Sequence, residues 1–286
     1  FEGKLGQTLA VPQKSGPALI AVGIGPRSNL HVAALRDASA AFARASAKHA
    51  RIVNTLFEAA QGLKPAEAAQ AVVEGALLAR YRFMSLRRPS AAEVALEELT
   101  IVASGAPLQE VEQGAQRGEV FARAALLARD LGNAPATLLT ARRMTEVVKQ
   151  LAKDCKLEVE VFDEDALTKM GCGGMLGVNA GSAEPPRLIR LTYVPKQRET
   201  RGHLALVGKG IMYDSGGISL KPNDLIHATM KTDMSGSAAV FAAMTALAAL
   251  DCKTRVTGYL MCTDNMPSGA AMKLGDVLTV RGGKTV

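Results

Sequence analysis

The stretch from Leu204 to Met234 constrains this chain more than any other. Leu204 to Val207 is a short apolar run that stops at Gly208, the pattern of a buried strand delivering a loop to one end of a sheet. The loop that follows carries Lys209, Asp214, Lys221 and Asp233 among glycines. After Asp233 comes a run of small apolar residues, Ser235 to Leu250, long enough for a buried helix. In open α/β sheets ligands bind beyond the carboxyl ends of strands, which is where this loop falls.

The residue types in the loop point to a cation. Aspartates favour hard or borderline divalent metals. Gly210, Gly216 and Gly217 allow tight turns and close approach to a ligand. A lysine in such a cluster has two uses. It can stay charged and stabilise a developing oxyanion. Beside a metal it can lose its proton and ligate through nitrogen. Taken singly, each of Lys209, Asp214, Lys221 and Asp233 reads as half of a surface ion pair. Four of them on one loop after a strand read as a site.

The order and spacing of Gly208-Lys209-Gly210-Ile211, Asp214-Ser215-Gly216-Gly217-Ile218-Ser219, Lys221-Pro222 and Met230 to Met234 resemble the signature region of the leucyl aminopeptidase family, the cytosolic dinuclear-metal exopeptidases. The similarity continues through Thr263 to Gly269 and Gly275-Asp276-Val277, and reaches back to Ala128 through Ala136. It is strong after about Phe121 and weak before. The resemblance implies an α/β fold: a macro-domain-like N-terminal α/β domain (1–120), joined by a long helix to an α/β/α catalytic domain (121–286). It implies release of N-terminal residues such as leucine from peptides, with two divalent ions per subunit, Mn2+ or Zn2+, activating a water. By the same carry-over Lys209, Asp214 and Asp233 bind metal, with Asp214 bridging. Lys221 is the catalytic oxyanion donor, and Met230 lines the substrate pocket. A homo-hexamer in the cytoplasm is implied as well. The family's second signature, Asn-Thr-Asp-Ala-Glu-Gly-Arg, would follow shortly after Val286, and Phe1 to Gly6 resembles the middle of the N-terminal domain. The expectation is a chain clipped at both ends and inactive by itself.

Composition narrows the alternatives. Apolar residues make up 48% of 286, ample for a packed core. Aromatics are 4%, without tryptophan, which argues against stacking on single-stranded nucleic acid. The net charge of +7 permits an acidic partner, but the basic residues are scattered. The densest group, Arg80, Arg82, Arg87 and Arg88, reads as a solvated helix end. Two rival classes stand beside the enzyme: a DNA-binding or regulatory protein on an aminopeptidase scaffold, and a non-catalytic scaffold subunit. Cys155, Cys172, Cys252 and Cys262 include no Cys-x-x-Cys and fit reduced thiols, with Cys262 in the core. His31, His49, His203 and His227 form no His-Glu-x-x-His, so a histidine-based zinc site is not expected. No apolar run approaches membrane-spanning length.

Periodicity predicts alternating elements. In the N-terminal half these are a strand over Pro17–Gly25, a helix capped by Ser28 and running to Ala50, and a strand over Ile52–Phe57. A helix from Lys64-Pro65 to Arg80, a strand over Leu96–Ala103 and a long helix from Pro107 to Leu131 follow. The alternation predicts a parallel layer. Gly23-Ile24-Gly25 reads as a tight turn, since Ser28 replaces the third glycine of a dinucleotide fingerprint. Gly283-Lys284-Thr285 lacks the upstream glycine of a phosphate loop, Leu278 standing there. In the C-terminal half Thr140 caps a helix to Cys155. Strands are expected over Leu157–Phe162, Leu188–Val194, Leu204–Val207 and Arg255–Cys262, all parallel. Gly171–Gly181 is expected as a loop, and Asp264 and Asn265 just past the last strand.

Overall fold

A computed structural model describes residues 1–83, 86, 94–196 and 202–286. The chain forms two compact units, Phe1–Leu126 and Leu127–Val286. The first contains β1 (Thr8–Val11), β2 (Leu19–Val22), α1 (Val32–Ala45), β3 (Arg51–Asn54), α2 (Pro65–Ala79), β4 (Glu98–Ile101) and the greater part of α3 (Leu108–Asn133). β3 and β4 pair in parallel, as the alternation predicts, but β1 and β2 are antiparallel. α1 and α2 pack closely because α2 offers Gly75, where a Cβ would lie 2.2 Å from the Arg36 carbonyl oxygen. Ser39 on α1 is buried, and its hydroxyl donates to the Val72 carbonyl (2.6 Å) and accepts from the Asn54 amide (3.2 Å). A buried polar group is thereby paired.

Two local expectations change in this unit. The cap of α1 is His31, whose Nδ1 accepts the Ala34 N–H, while Ser28 lies in a preceding 3₁₀ turn. Arg80 is no free helix end: its guanidinium donates to the carbonyls of Ser46 (3.1 Å), Ala47 (3.2 Å) and Val94 (2.7 Å). It thus satisfies backbone acceptors just past α1. Arg87 and Arg88 lie outside the described residues. Gly23 and Gly25 turn the chain against residues 3–7, with Gly23 N–H donating to Gln7 O (2.7 Å) and Gly25 N–H to Gly3 O (2.9 Å).

The second unit holds α4 (Ala141–Asp154), β5 (Glu158–Phe162), α5 (Glu164–Lys169), α6 (Gly173–Asn179), β6 (Arg187–Tyr193), β7 (His203–Asp214), α7 (Leu225–Ala228), α8 (Ser235–Ala246) and β8 (Arg255–Asn265). Thr140 caps α4 by accepting the Arg143 N–H. The sheet order is β5-β6-β8-β7. β7 and β8 pair in parallel and β5 runs the same way, while β6 alone is reversed, antiparallel to both β5 and β8. The expectation of an all-parallel sheet is therefore corrected. The segment between β6 and β7 is too short for the crossover that parallel strands require, so β6 runs the other way.

α4 and α8 pack on one face of the sheet, around buried Met144, Val148, Ile189, Leu191, Phe241, Met244 and Leu260. α6 lies against β8 on the other face. Its segment was expected to be a loop because of its glycines. Packing overrides that propensity: a Cβ on Gly173 would sit 2.1 Å from Thr279 O, and one on Gly177 2.5 Å from the Leu278 side chain. Cys262 is buried in the core, and burial pushes its thiol up to about 12. No helix among the described residues is long and apolar enough to cross a membrane.

β7 is much longer than the predicted Leu204–Val207 and carries the whole Gly208-Lys209-Gly210 motif inside the strand. Gly210 therefore does not form a turn. Gly208 and Gly210 make room for α8 instead. A Cβ on Gly208 would fall 2.6 Å from Gly236 O, and one on Gly210 2.5 Å from Ser237 Oγ. Ser237 Oγ donates to the Gly208 carbonyl at 2.8 Å, so the helix is also tied to the strand. Gly208→Ala should overpack this contact and lower stability by about 1–3 kcal/mol. Urea denaturation checks it: the midpoint should fall with the m-value unchanged, and an unchanged midpoint would mean α8 retreats without cost.

Candidate metal centre

Position along β7 decides which side chains meet. In a regular strand residues five apart, such as Lys209 and Asp214, face opposite sides. Here β7 advances three positions, from Ile211 to Asp214, while β8 advances two, from Thr263 to Asn265. That extra residue is a β-bulge, which changes the parity of the strand. Asp214 and Asn265 thus share the face of Lys209, Ile211, Met261 and Thr263, which line a cleft of about 740 Å³ with α6 residues Met175 and Val178.

Asp214 ends the strand, 14% exposed, with its carboxylate fully engaged. Oδ1 accepts from Gly216 N–H (3.0 Å) and Asn265 Nδ2 (2.7 Å), and Oδ2 accepts from Lys221 Nζ (2.7 Å). Burial pushes this carboxyl up. Hydrogen bonds from Lys221, the Gly216 N–H and the Asn265 amide, with the Lys221 charge, outweigh burial and hold it below the usual carboxylate range. The turn after it needs its glycines: Gly216 has φ +91° and Gly217 φ +64°, in the left-handed region. Ser215 closes the turn, donating N–H and hydroxyl to Asn265 O and accepting the Lys221 N–H through its own carbonyl.

Asp233 follows the 3₁₀ turn Met230–Thr232 and stands one residue before Met234, the N-cap of α8, whose N-terminal end favours negative charge. Lys209 Nζ lies 3.0 Å from Asp233 Oδ2, the lysine 59% exposed and the aspartate 23%. Charge attraction operates at that distance, but Oδ2 is buried and accepts no hydrogen bond. A buried carboxylate oxygen is costly without a partner, and the Lys209 ammonium at 3.0 Å supplies the compensating charge. The structure therefore brings Lys209 to Asp233 and Lys221 to Asp214. Met230 opens the turn that ends at Asp233, and it is not among the residues lining the cleft beside Lys209.

The donors fit a divalent cation: two carboxylates of the type that hard and borderline ions prefer, one with a buried oxygen lacking a hydrogen bond, and an amine nitrogen. Among the described residues no three His, Cys, Asp or Glu side chains converge to hold an ion. Asp264 and Asn265 lie on β8 itself, not beyond it as expected. Asp264 accepts the Tyr213 N–H (3.2 Å) and the Ser182 hydroxyl (3.3 Å), gripping β7 one residue before Asp214. It also borders a second cavity, of about 730 Å³. The Asn265 amide on Asp214 escaped sequence reasoning, since nothing in an Asp-Asn pair says which side chain crosses to the neighbouring strand.

The profile of the cytosol aminopeptidase family catalytic domain matches residues 126–286, and that of the same family's N-terminal domain matches residues 1–90. The chain belongs to the cytosol aminopeptidase family. A probable cytosol aminopeptidase from Streptomyces avermitilis is 42% identical over 99% of this chain and 57% of its own length. One from a Synechococcus strain is 40% identical over 100% and 58%. The bottromycin maturation enzyme BotP in complex with Mn superposes with TM-score 0.89 at 38% identity, covering 100% of this chain and 59% of its own. A mutant tomato leucine aminopeptidase gives TM-score 0.86 at 29% identity, with 100% and 55% covered. The chain spans a little over half the length of the curated relatives it matches.

Asp264 offers a pH test. Burial pushes its carboxyl up; the Ser182 and Tyr213 hydrogen bonds oppose this, and the charge of Glu184 reinforces it. A raised folded-state value favours the protonated form in the native protein. Its contribution is fully present below the unfolded value, about 3.9, and is lost as pH rises through the higher folded value. Asp264→Asn should abolish that loss. Unfolding free energies measured from about pH 4 upward should fall less steeply in the variant, and parallel profiles would contradict the assignment.

Proposed function

We propose that the whole protein carrying this chain is a metal-dependent aminopeptidase that releases N-terminal residues, leucine among them, from peptides. One observation carries the reading. Lys209 lies 3.0 Å from Asp233 and Lys221 2.7 Å from Asp214, the first pair formed from within β7 and the second at its end. Family membership supports it. So does the similarity to a protein solved in complex with Mn.

Two divalent ions per subunit, Mn2+ or Zn2+, would polarise the scissile carbonyl and supply a nucleophilic water. Lys209, Asp214 and Asp233 would hold them, with Asp214 shared. The remaining ligands would come from the part of the relatives' length that this chain does not span. Lys221 would stabilise the oxyanion of the tetrahedral species, its ammonium already fixed by Asp214. Met230 would line the pocket for the first side chain, where an apolar wall favours leucine but separates aliphatic residues weakly. Assembly as a homo-hexamer and residence in the cytoplasm complete the proposal.

Lys221 provides the test. In the whole protein Lys221→Ala should lower turnover of a leucine amide by about a hundred- to a thousand-fold, the usual cost of one oxyanion donor. Metal content should stay near the parent's. Collapse of metal stoichiometry with normal turnover per bound ion would make Lys221 a ligand or a structural group. Asp214→Asn and Asp233→Asn should each remove metal and activity together. An N-acetylated peptide should resist hydrolysis; its cleavage at the parent's rate would argue against an exopeptidase.

A further inference from the structure

We propose that Asn265 is a positioning residue for Asp214: its amide engages one carboxylate oxygen inside the protein and leaves the other to face a cation. This rests on the metal reading given above. Asp214 Oδ1 accepts two N–H donors, Gly216 N and Asn265 Nδ2, while Oδ2 accepts only from the Lys221 ammonium. A carboxylate pinned through one oxygen cannot rotate about its terminal torsion without breaking a charge-assisted hydrogen bond. Partners of this kind hold metal ligands in their binding orientation.

Asn265 is itself fixed from several sides. Its backbone stands opposite Asp214 in the β7–β8 ladder. Its carbonyl accepts both the N–H (3.0 Å) and the hydroxyl (2.7 Å) of Ser215. Its Oδ1 lies where a Cβ on residue 217 would come within 2.6 Å, so only glycine leaves the amide room. The residue type follows from the geometry. An amide presents a donor to Asp214 and carries no charge. An aspartate there would set two carboxylates face to face, and an apolar side chain would leave Asp214 Oδ1 with a single donor.

Asp264 supplies the control. It grips the same strand end through the Tyr213 N–H but makes no hydrogen bond to Asp214. A purely mechanical tether would therefore make Asp264 and Asn265 equivalent, and an oriented carboxylate would not.

The test is titration of MnCl2 alone into the full chain by calorimetry. Electron paramagnetic resonance of the bound Mn2+ and the thermal midpoint accompany it. The proteins are the parent, Asn265→Leu, Asp264→Leu and Asp214→Asn. Asn265→Leu keeps the side-chain shape without the donor. It should weaken Mn2+ binding about 10–100-fold, the usual cost of losing a partner of a metal ligand, and should alter the resonance of the bound ion. Asp264→Leu, which removes the acceptor of the Tyr213 N–H, should bind Mn2+ close to the parent. Asn265→Ser, too short to reach Asp214, repeats the measurement should the leucine variant not fold. Parent-like binding by the Asn265 variants, with Asp214→Asn defective, overturns the inference and leaves the metal reading standing. An equal loss in Asp264→Leu also overturns it, because strand anchoring alone would then explain the effect. Parent-like binding by Asp214→Asn removes the metal reading and this inference with it.

Discussion

One extra residue in β7 governs the chemistry of this molecule. Without the bulge between Ile211 and Asp214, the alternation of the strand would send Asp214 toward α8 and Lys209 toward the opposite face. With it, Asp214, Asn265 and Lys209 share a side of the sheet. The bulge lies next to the charged cluster, where an irregularity can re-aim a side chain without disturbing the rest of the ladder. It is kept in place by the neighbouring strand: Asp264 takes the Tyr213 N–H, and the Asn265 carbonyl takes the N–H and hydroxyl of Ser215.

Charge compensation follows from that arrangement. Two aspartates at the end of one strand and the start of one helix would repel each other if left alone. Each stands against a lysine, Asp214 with Lys221 and Asp233 with Lys209. The two pairs differ. Asp214 has every oxygen engaged by a hydrogen bond, whereas Asp233 keeps a buried oxygen that accepts none. Buried acceptors met by charge alone are uncommon in folded proteins, where most accept a hydrogen bond. The asymmetry makes the Asp233 side the more exacting half of the cluster.

The glycines of the signature divide into two physical roles. Gly216 and Gly217 adopt positive φ and let the chain double back so that Lys221 reaches Asp214. Gly208 and Gly210 have no unusual torsion, and their value is the missing Cβ. Removing two side chains from the face of β7 lets the first turn of α8 settle against the strand, which places Asp233 within reach of Lys209. Site geometry and core packing are thus the same contact seen from its two ends.

The order of chemical groups was legible in the chain itself. Lysines and aspartates among glycines, an apolar run before them and a small-residue helix after them announce a charged site at the end of a strand. Local chemistry also announced the Thr140 cap and the helix opened by Pro65, because caps and proline act over a few residues. Tertiary structure alone decided the rest. The antiparallel course of β6, the helical state of the glycine-rich Gly173–Asn179 segment and the length of β7 follow from neighbours distant in sequence. So does the choice of Asn265 over Asp264 as the partner of Asp214. A bulge is a mismatch between two strands, and an amide reaching across a ladder depends on their register. Neither quantity exists until β7 and β8 have paired, so no reading of either strand alone contains it.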